Sequence, residues 1–166
     1  MEGEESVKSL VIKVLFLILI IAFLFLSVMY LNKRWGKIRD IRRQADAKSV
    51  IRALDFYNIQ FGSYPETLDD DGDGWDKSND TENRSFLEPI IKVGLLPTLV
   101  FDPTNDEEHY YRYQKFVAGD FGCRRPFAVF QVTGFESELN VKGNGECPDL
   151  DWTSLVPNGF TWFSFE

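Results

Sequence analysis

Histidine and cysteine are scarce in this chain. One histidine, His109, and two cysteines, Cys123 and Cys147, occur among 166 residues, and no Cys-x-x-Cys pair is present. A zinc site needs several such ligands at close spacing, so the sequence gives no support for one. His109 stands among acidic residues and a tyrosine, which is typical of a solvated turn histidine and not of a general base.

Signatures of catalysis are missing as well. The chain contains no Gly-x-Ser-x-Gly elbow, no phosphate-binding loop and no dinucleotide-binding fingerprint. Its many carboxylates could in principle supply a glycosidase pair, but nothing in the sequence selects two of them. We therefore predict a protein that is not an enzyme and has no catalytic residues.

A stretch without any charge lies near the N-terminus. Residues 14–31 would span about 27 Å as a helix, close to the roughly 30 Å of a bilayer core. A cleaved signal peptide is the alternative, but its apolar region is shorter and ends in a small-x-small site, which this segment does not offer. We predict a transmembrane helix over residues 10–31, preceded by a short leader or tail over residues 1–9.

Charge is distributed unevenly beyond this span. Residues 32–62 are basic and residues 63–166 are strongly acidic, within a net charge of −8. The acidic part makes nucleic acid a poor partner, whereas the basic part would attract membrane lipid head groups. Basic residues after a span favour a cytoplasmic C-terminal domain. Two other features favour the extracytoplasmic side: the cysteine pair suits one disulfide, and an acidic loop at residues 69–80 suits external calcium. We therefore predict a single-pass protein of the cell membrane with an extracytoplasmic C-terminal domain.

The helical pattern continues beyond the span. Apolar residues recur at three-, four- and six- to seven-residue steps, with arginine and aspartate on the opposite face. Gly62 followed by Tyr64 and Pro65 ends the helix. Span and stalk (residues 32–62) are thus predicted to form one helix of roughly fifty residues, about 75 Å long. The predicted apolar stripe comprises Ile38, Ile41, Ala45, Ile51, Leu54 and Phe61, with Ala47, Val50 and Tyr57 beside them.

Residues 63–166 are predicted to form a globular head. The segments 110–116, 127–135 and 160–165 are rich in aromatic and β-branched residues, which is typical of strands. Residues 86–96 form a short apolar element with a helical turn. The expected fold class is α+β, in which a long N-terminal transmembrane-plus-stalk helix packs on a small antiparallel β-sheet head.

An acidic loop occupies residues 69–80. Alternating aspartates precede a glycine turn at Gly74, as at positions 1, 3, 5 and 6 of a twelve-residue calcium loop. We predict a structural calcium ion at this loop, and the alternative is a solvated acidic surface loop. The predicted ligands are Asp69, Asp71, Asp73, Trp75 through its carbonyl, Asp80, and Asp76 as a substitute.

Cys123 and Cys147 are predicted to form a disulfide. The bond would close a loop of about 25 residues and contribute about 3–4 kcal/mol by chain-entropy reasoning. The alternative is two unrelated reduced cysteines.

A series of short motifs runs through the stalk and the head in a fixed order. They are Val50, Ala53, Leu54 and Tyr57 in the helix, Gly62, Tyr64 and Pro65 in the turn, then Leu96-Pro97, Phe101-Asp102-Pro103, Tyr111 and Tyr113. With these landmarks in this order, the chain resembles the type IV pilins and the type II secretion pseudopilins, of the major pseudopilin type, over roughly residues 38–135. The resemblance implies a pilin-like fold without enzymatic activity, and assembly through the N-terminal helix with copies of itself or with other pilin-like subunits.

One signature of that family is missing. Its members are cleaved after a glycine, before a Phe-Thr-x-x-Glu start to the apolar run, whereas Gly3 here precedes Glu4 and Glu5. A displaced role for one of these glutamates is an alternative that the sequence leaves open. The predicted function is a membrane-anchored pilin-like or pseudopilin-like subunit of a surface filament or secretion-type assembly. The alternative is a monomeric surface-anchored extracytoplasmic binding domain with a structural calcium site.

Overall fold

The N-terminal region forms one long helix. Helix α1, Glu2–Phe61, is about 90 Å long at the usual rise per residue, and it passes Gly36 without a break. It ends because Gly62 takes a left-handed backbone, with φ of 78°, and donates its N–H to the carbonyl of Asn58 at 2.8 Å. The predicted continuity of span and stalk is confirmed. The computed structural model describes residues 2–68, 72–80, 86–137 and 141–166, and the side chains of α1 from residue 13 onward.

The apolar part of α1 stands apart from the head. Along residues 14–31 nearly every side chain is exposed, because no other described segment packs against them. This is the one helix among the described residues that is long and apolar enough to cross a membrane. The chain therefore carries a candidate membrane span near its N-terminus, consistent with single-pass anchoring.

A four-stranded antiparallel sheet forms the centre of the head. The strands of the head are β1 (Asp76–Lys77), β2 (Tyr111–Phe116), β3 (Phe127–Val132), β4 (Glu146–Cys147), β5 (Leu150–Asp151) and β6 (Phe160–Phe165). The order in the sheet is β1-β2-β3-β6, and the short strands β4 and β5 pair separately. A five-residue helix, α2, Glu88–Lys92, lies between β1 and β2 in sequence. The α+β class with a long helix and a small antiparallel sheet is confirmed.

The three predicted strands are present as β2, β3 and β6. Strand β3 ends at Val132, three residues earlier than expected, because its partner β2 begins at Tyr111, which is paired with Val132. Strand β1 was not predicted. Its two residues lie in the second half of the acidic loop and pair with β2, so this half of the loop belongs to the sheet.

One face of the sheet packs on the stalk. Side chains of Ala47, Val50 and Leu54 are buried against the sheet at three- and four-residue steps. Tyr111 and Phe130 meet them from adjacent strands, with ring centroids 6.0 Å apart. The apolar face of the upper stalk therefore forms the main core, as predicted for Leu54.

The predicted stripe is wrong for the lower stalk and for the last residue of α1. Ile38 and Ile41 are 49% and 58% exposed, and Ala45 and Phe61 are exposed as well. The buried positions are instead Asp40 and Arg43, in phase with Ala47, Val50 and Leu54. Arginine and aspartate were expected on the outer face of the helix. Arg43 and Asp40 are instead buried, because polar groups of the head lie opposite them in the lower stalk.

The second face of the sheet covers an aromatic cluster. All six residues of β3 are buried, since both faces of this strand are covered. Phe127 stacks on Phe116 at 4.8 Å, and Trp152 packs on Phe116 at 4.8 Å. The predicted disulfide between Cys123 and Cys147 is present in this cluster, with a Cα–Cα distance of 5.2 Å.

Candidate functional site

The acidic loop predicted to bind calcium is described only in part. Asp69 and Asp71 lie outside the described residues. One oxygen of the Asp73 carboxylate accepts a hydrogen bond from the N–H of Trp75 at 3.0 Å, and the other contacts Lys77 Nζ. Among the described residues no group of three His, Cys, Asp or Glu side chains is placed to hold a metal ion, a statement that does not extend to Asp69 and Asp71.

Asp76 is buried in the head. Its Oδ2 accepts a hydrogen bond from the N–H of Leu87 at 2.9 Å, at the start of α2. Leu87 has a left-handed backbone and no side-chain cap of its own, so the Asp76 carboxylate supplies an acceptor for this helix end. Asp80 follows β1 by three residues and is half-buried. The structure thus gives Asp76 a packing role at the start of α2.

Trp75 joins the acidic loop to the aromatic cluster. Its ring meets Trp152 edge-on at 6.2 Å and Phe116 at 6.1 Å. The guanidinium of Arg112 lies 4.3 Å from the centre of the same ring, a cation–π contact. These contacts hold the backbone around Trp75, whose carbonyl is a predicted calcium ligand, against the sheet.

Arg43 is the centre of a buried ionic cluster. Its side chain is 0% exposed and donates to both oxygens of Asp102, from Nε at 2.6 Å and from Nη2 at 2.8 Å. Nη1 donates to Asp40 at 2.7 Å and to Glu136 at 2.8 Å. Burial alone would lower the pKa of Arg43, but the hydrogen bonds to Asp102, Glu136 and Asp40 outweigh it and raise that pKa further.

The head reaches the lower stalk through Glu136 and Ser137. Asp40 accepts hydrogen bonds from the N–H of Glu136 at 3.0 Å and of Ser137 at 2.7 Å. The Glu136 carboxylate also pairs with Arg39, and the bonds from Arg39 and Arg43 lower its pKa to about 2. A Cβ on Gly36 would lie 3.2 Å from the Cβ of Glu136, so the missing side chain allows this close approach.

The turn after α1 is tied to the far edge of the sheet. Tyr64 is buried, and its hydroxyl donates to Ser164 Oγ at 2.9 Å, while its N–H donates to Glu166 Oε1 at 2.8 Å. The carbonyl of Pro65 accepts the hydroxyl of Tyr113 at 2.7 Å. The Gly-x-Tyr-Pro landmark therefore fixes the top of the stalk to β2 and β6.

The outer side of the stalk carries uncovered apolar side chains. Phe56 and Ile59 are 59% and 79% exposed, and they lie on the side of α1 that faces away from the sheet, as do Ile38 and Ile41. At about 100° per residue all four fall within one half of the helix surface. We call these four residues the outer apolar face.

An apolar groove of about 200 Å³ lies between the stalk and the membrane-proximal part of the head. Its described lining contains no carboxylate, histidine, cysteine or hydroxyl side chain, and Lys48 is the one cationic side chain of that lining. The groove is lined by Gln44, Ala47, Lys48, Ile51, Phe135, Val141 and Phe160.

The ionic cluster was missed from the sequence, although a signal for it exists. Gly36, Asp40 and Arg43 follow the same three- and four-residue spacing as Ala47 and Val50, and they continue the buried face downward. A search for apolar residues alone misses these polar positions. Their burial can be predicted only when their partners, Asp102 and Glu136, are known, and these lie far away in the sequence.

Comparison of the chain with protein-family models, with curated proteins and with solved structures finds no match.

Proposed function

We propose that this protein is a membrane-anchored, non-enzymatic pilin-like or pseudopilin-like subunit of a surface filament or secretion-type assembly. Its α1 helix packs beside the same helix of another copy or of a related subunit. The head lies on the extracytoplasmic side. This proposal continues the resemblance seen in the sequence, and the fold is compatible with it through the unbroken helix and the small antiparallel head.

The outer apolar face is the observation that carries the proposal. Ile38, Ile41, Phe56 and Ile59 lie beyond the span, where lipid does not cover all of them, and the head packs on the opposite side of the helix. Burying apolar surface contributes about 25 cal/mol per Å², so a partner helix on this face would be stabilising. The span below it is also uncovered within the described chain.

The landmarks of the resemblance have packing roles that support a pilin-like head. Tyr64 and Pro65 join the top of the stalk to the sheet, and Asp102 anchors Arg43. Tyr111 donates its hydroxyl to Asp46 of the stalk at 3.1 Å. These contacts keep the head on one side of α1 and leave the other side for assembly.

We also propose the structural calcium ion at the acidic loop. The spacing of Asp69, Asp71 and Asp73 before Gly74 supports it, and the second half of the loop is fixed by β1. Its role would be to neutralise the aspartates and order the connection between the stalk and α2.

The second candidate is a monomeric surface-anchored binding domain. The apolar groove beside Lys48 favours it, since a concave, mostly apolar surface with a few polar groups is the usual form of a ligand pocket. In this case the stalk would act only as an anchor and spacer, and the outer apolar face would stay without a protein partner.

Cross-linking in native membranes separates the two candidates. We would place single cysteines at Ile38 and at Phe56 and label them in membranes with a short maleimide–diazirine reagent, which attaches to the new thiol and couples to any adjacent protein on illumination. The native cysteines do not react because they are joined in a disulfide. A filament subunit should give cross-linked species containing itself or another anchored subunit. The matched control is Val117→Cys, an exposed position in the β2–β3 connection, which should give little product. Equal yields from all three positions, or none from Ile38 and Phe56, would contradict the assembly proposal.

A further inference from the structure

Six basic side chains lie within residues 32–43, just after the span; two of them pair with the head and a third pairs within the stalk. Arg39 pairs with Glu136, Arg43 is enclosed in the ionic cluster, and Arg42 lies 3.7 Å from Asp46. The other three are exposed and form no ion pair with any residue in the described part of the chain. These three are Lys33, Arg34 and Lys37.

The three remaining cations lie on one face of α1. Tyr30, Lys33, Arg34 and Lys37 have the spacing i, i+3, i+4 and i+7, which places neighbouring side chains about 5–6 Å apart at their Cβ atoms. We call these four residues the cationic face. At about 100° per residue, Gly36 and Asp40, which contact the head, lie next to the cationic face on the side of Lys33, and all four residues of the cationic face are exposed.

The height of this face matches the lipid head groups. Lys33 and Lys37 stand two and six residues beyond Leu31, the last residue of the uncharged run, or about 3–9 Å along the helix axis. The head-group layer occupies about 5–8 Å on each side of the hydrocarbon core. Tyr30 lies below the cations, and tyrosine favours this same interface because its ring is apolar and its hydroxyl is polar.

Three cations crowded on one face repel one another. Like charges at i and i+4, such as Lys33 and Lys37, destabilise a helix by a few tenths of a kcal/mol. Among the described residues no carboxylate pairs with these cations. An anion held between them would remove this repulsion. Lipid phosphate is the anion present at this height.

We propose that the cationic face binds the phosphate of an anionic phospholipid in the leaflet on the side of the head. Arg34 offers a planar fork of donors to phosphate oxygens, Lys33 and Lys37 add point charges, and Tyr30 packs on the upper part of the acyl chains. The site holds the foot of the stalk at a fixed depth and keeps the acidic head upright above an anionic surface. It does not depend on filament assembly.

Native mass spectrometry of the full-length chain in detergent tests the site. The protein is incubated with equal amounts of phosphatidylglycerol and phosphatidylcholine, and the ratio of bound lipids is measured on the monomer. The wild type should retain phosphatidylglycerol preferentially. In the triple variant Lys33→Gln, Arg34→Gln, Lys37→Gln this preference should fall by about an order of magnitude or more, since each basic residue near the surface contributes to it.

Two further variants serve as controls. Arg124→Gln with Arg125→Gln removes two exposed arginines near the disulfide and should leave the preference unchanged. Lys33→Arg with Lys37→Arg retains the charge and should retain the preference. If the triple variant does not fold, Arg34→Gln alone should still lower the ratio severalfold. No preference in the wild type, an unchanged ratio in the triple variant, or an equal loss in the Arg124/Arg125 variant would overturn the proposal.

Discussion

Arg43 and Asp102, which are 59 positions apart in the sequence, form a buried bidentate ion pair. The distances are 2.6 Å from Nε to Oδ2 and 2.8 Å from Nη2 to Oδ1, and both side chains are fully buried. The pair joins the lower stalk to the connection that precedes β2. Since both charges are removed from water, loss of Arg43 leaves the Asp102 carboxylate without its counter-charge, and loss of Asp102 leaves two of the buried Arg43 nitrogens without their carboxylate.

Asp102→Asn should therefore destabilise the head strongly. We expect the free energy of unfolding to fall by about 3–5 kcal/mol, because Arg43 loses its main counter-charge while staying buried. Denaturant unfolding of the full chain in detergent, followed by near-ultraviolet circular dichroism, measures it. The matched control is Lys92→Gln, which removes an exposed pair with Glu88 and should cost less than about 1 kcal/mol. Similar losses in the two variants would contradict the assigned role of the pair.

Acid should weaken the contact between the stalk and the head through Glu136. Hydrogen bonds from Arg39 and Arg43 lower the folded-state pKa of Glu136 to about 2, whereas the unfolded value is about 4.3. Its contribution to stability is therefore complete above about pH 5 and is lost as the pH falls from there toward 2. Unfolding measured at pH 6 and pH 3 should show a smaller pH effect in Glu136→Gln than in the wild type. The control Glu107→Gln, at an exposed site, should show the same dependence of unfolding on pH as the wild type. Identical pH profiles for all three proteins would refute the role assigned to Glu136.

Loss of the disulfide should destabilise the far end of the head. The double variant Cys123→Ser, Cys147→Ser is expected to lose about 3–4 kcal/mol, because its unfolded chain regains the freedom of the closed loop. Thermal unfolding of the full chain checks this. Reductant should lower the melting temperature of the wild type and leave that of the double variant unchanged. A wild type that is equally stable with and without reductant would show that the bond adds nothing.

Calcium should stabilise the chain if the acidic loop binds it. Millimolar calcium is expected to raise the melting temperature by a few degrees, since about 1 kcal/mol shifts a domain of this size by roughly 2–8 °C. Asp73→Asn should reduce this rise, and Glu107→Gln should not. Melting curves that coincide with and without a chelator would rule out a structural ion.

The side of the membrane is tested by a reporter fused after Glu166. A reporter that becomes active only outside the cytoplasm should be active in this fusion, because the disulfide suits an oxidising compartment. Replacement of Lys33, Arg34 and Lys37 by glutamine should not reduce the activity. An inactive reporter on a stably inserted chain would place the head in the cytoplasm, as the basic residues after the span taken alone would suggest.

Local patterns predicted the parts of the head that depend on neighbouring residues. The strand at residues 160–165 has the same bounds in the structure as in the prediction, and the strand at 110–116 begins one residue later. Gly62 ends the helix as expected, since it can take a left-handed backbone without strain. The acidic loop was less predictable, because β1 forms only through its pairing with β2, more than 30 residues away.

The sequence by itself determined the uncharged span, its continuation into one long helix, the three main strands and the cysteine pair. Each of these follows from composition or from periodicity within a short stretch of chain. Only the tertiary structure decided which side of the lower stalk is buried. Asp40 and Arg43 are inside and Ile38 and Ile41 are outside because Asp102 and Glu136 arrive from distant parts of the chain with matching charges. Helical periodicity shows that two faces differ, but the groups that pack against them decide which one is covered.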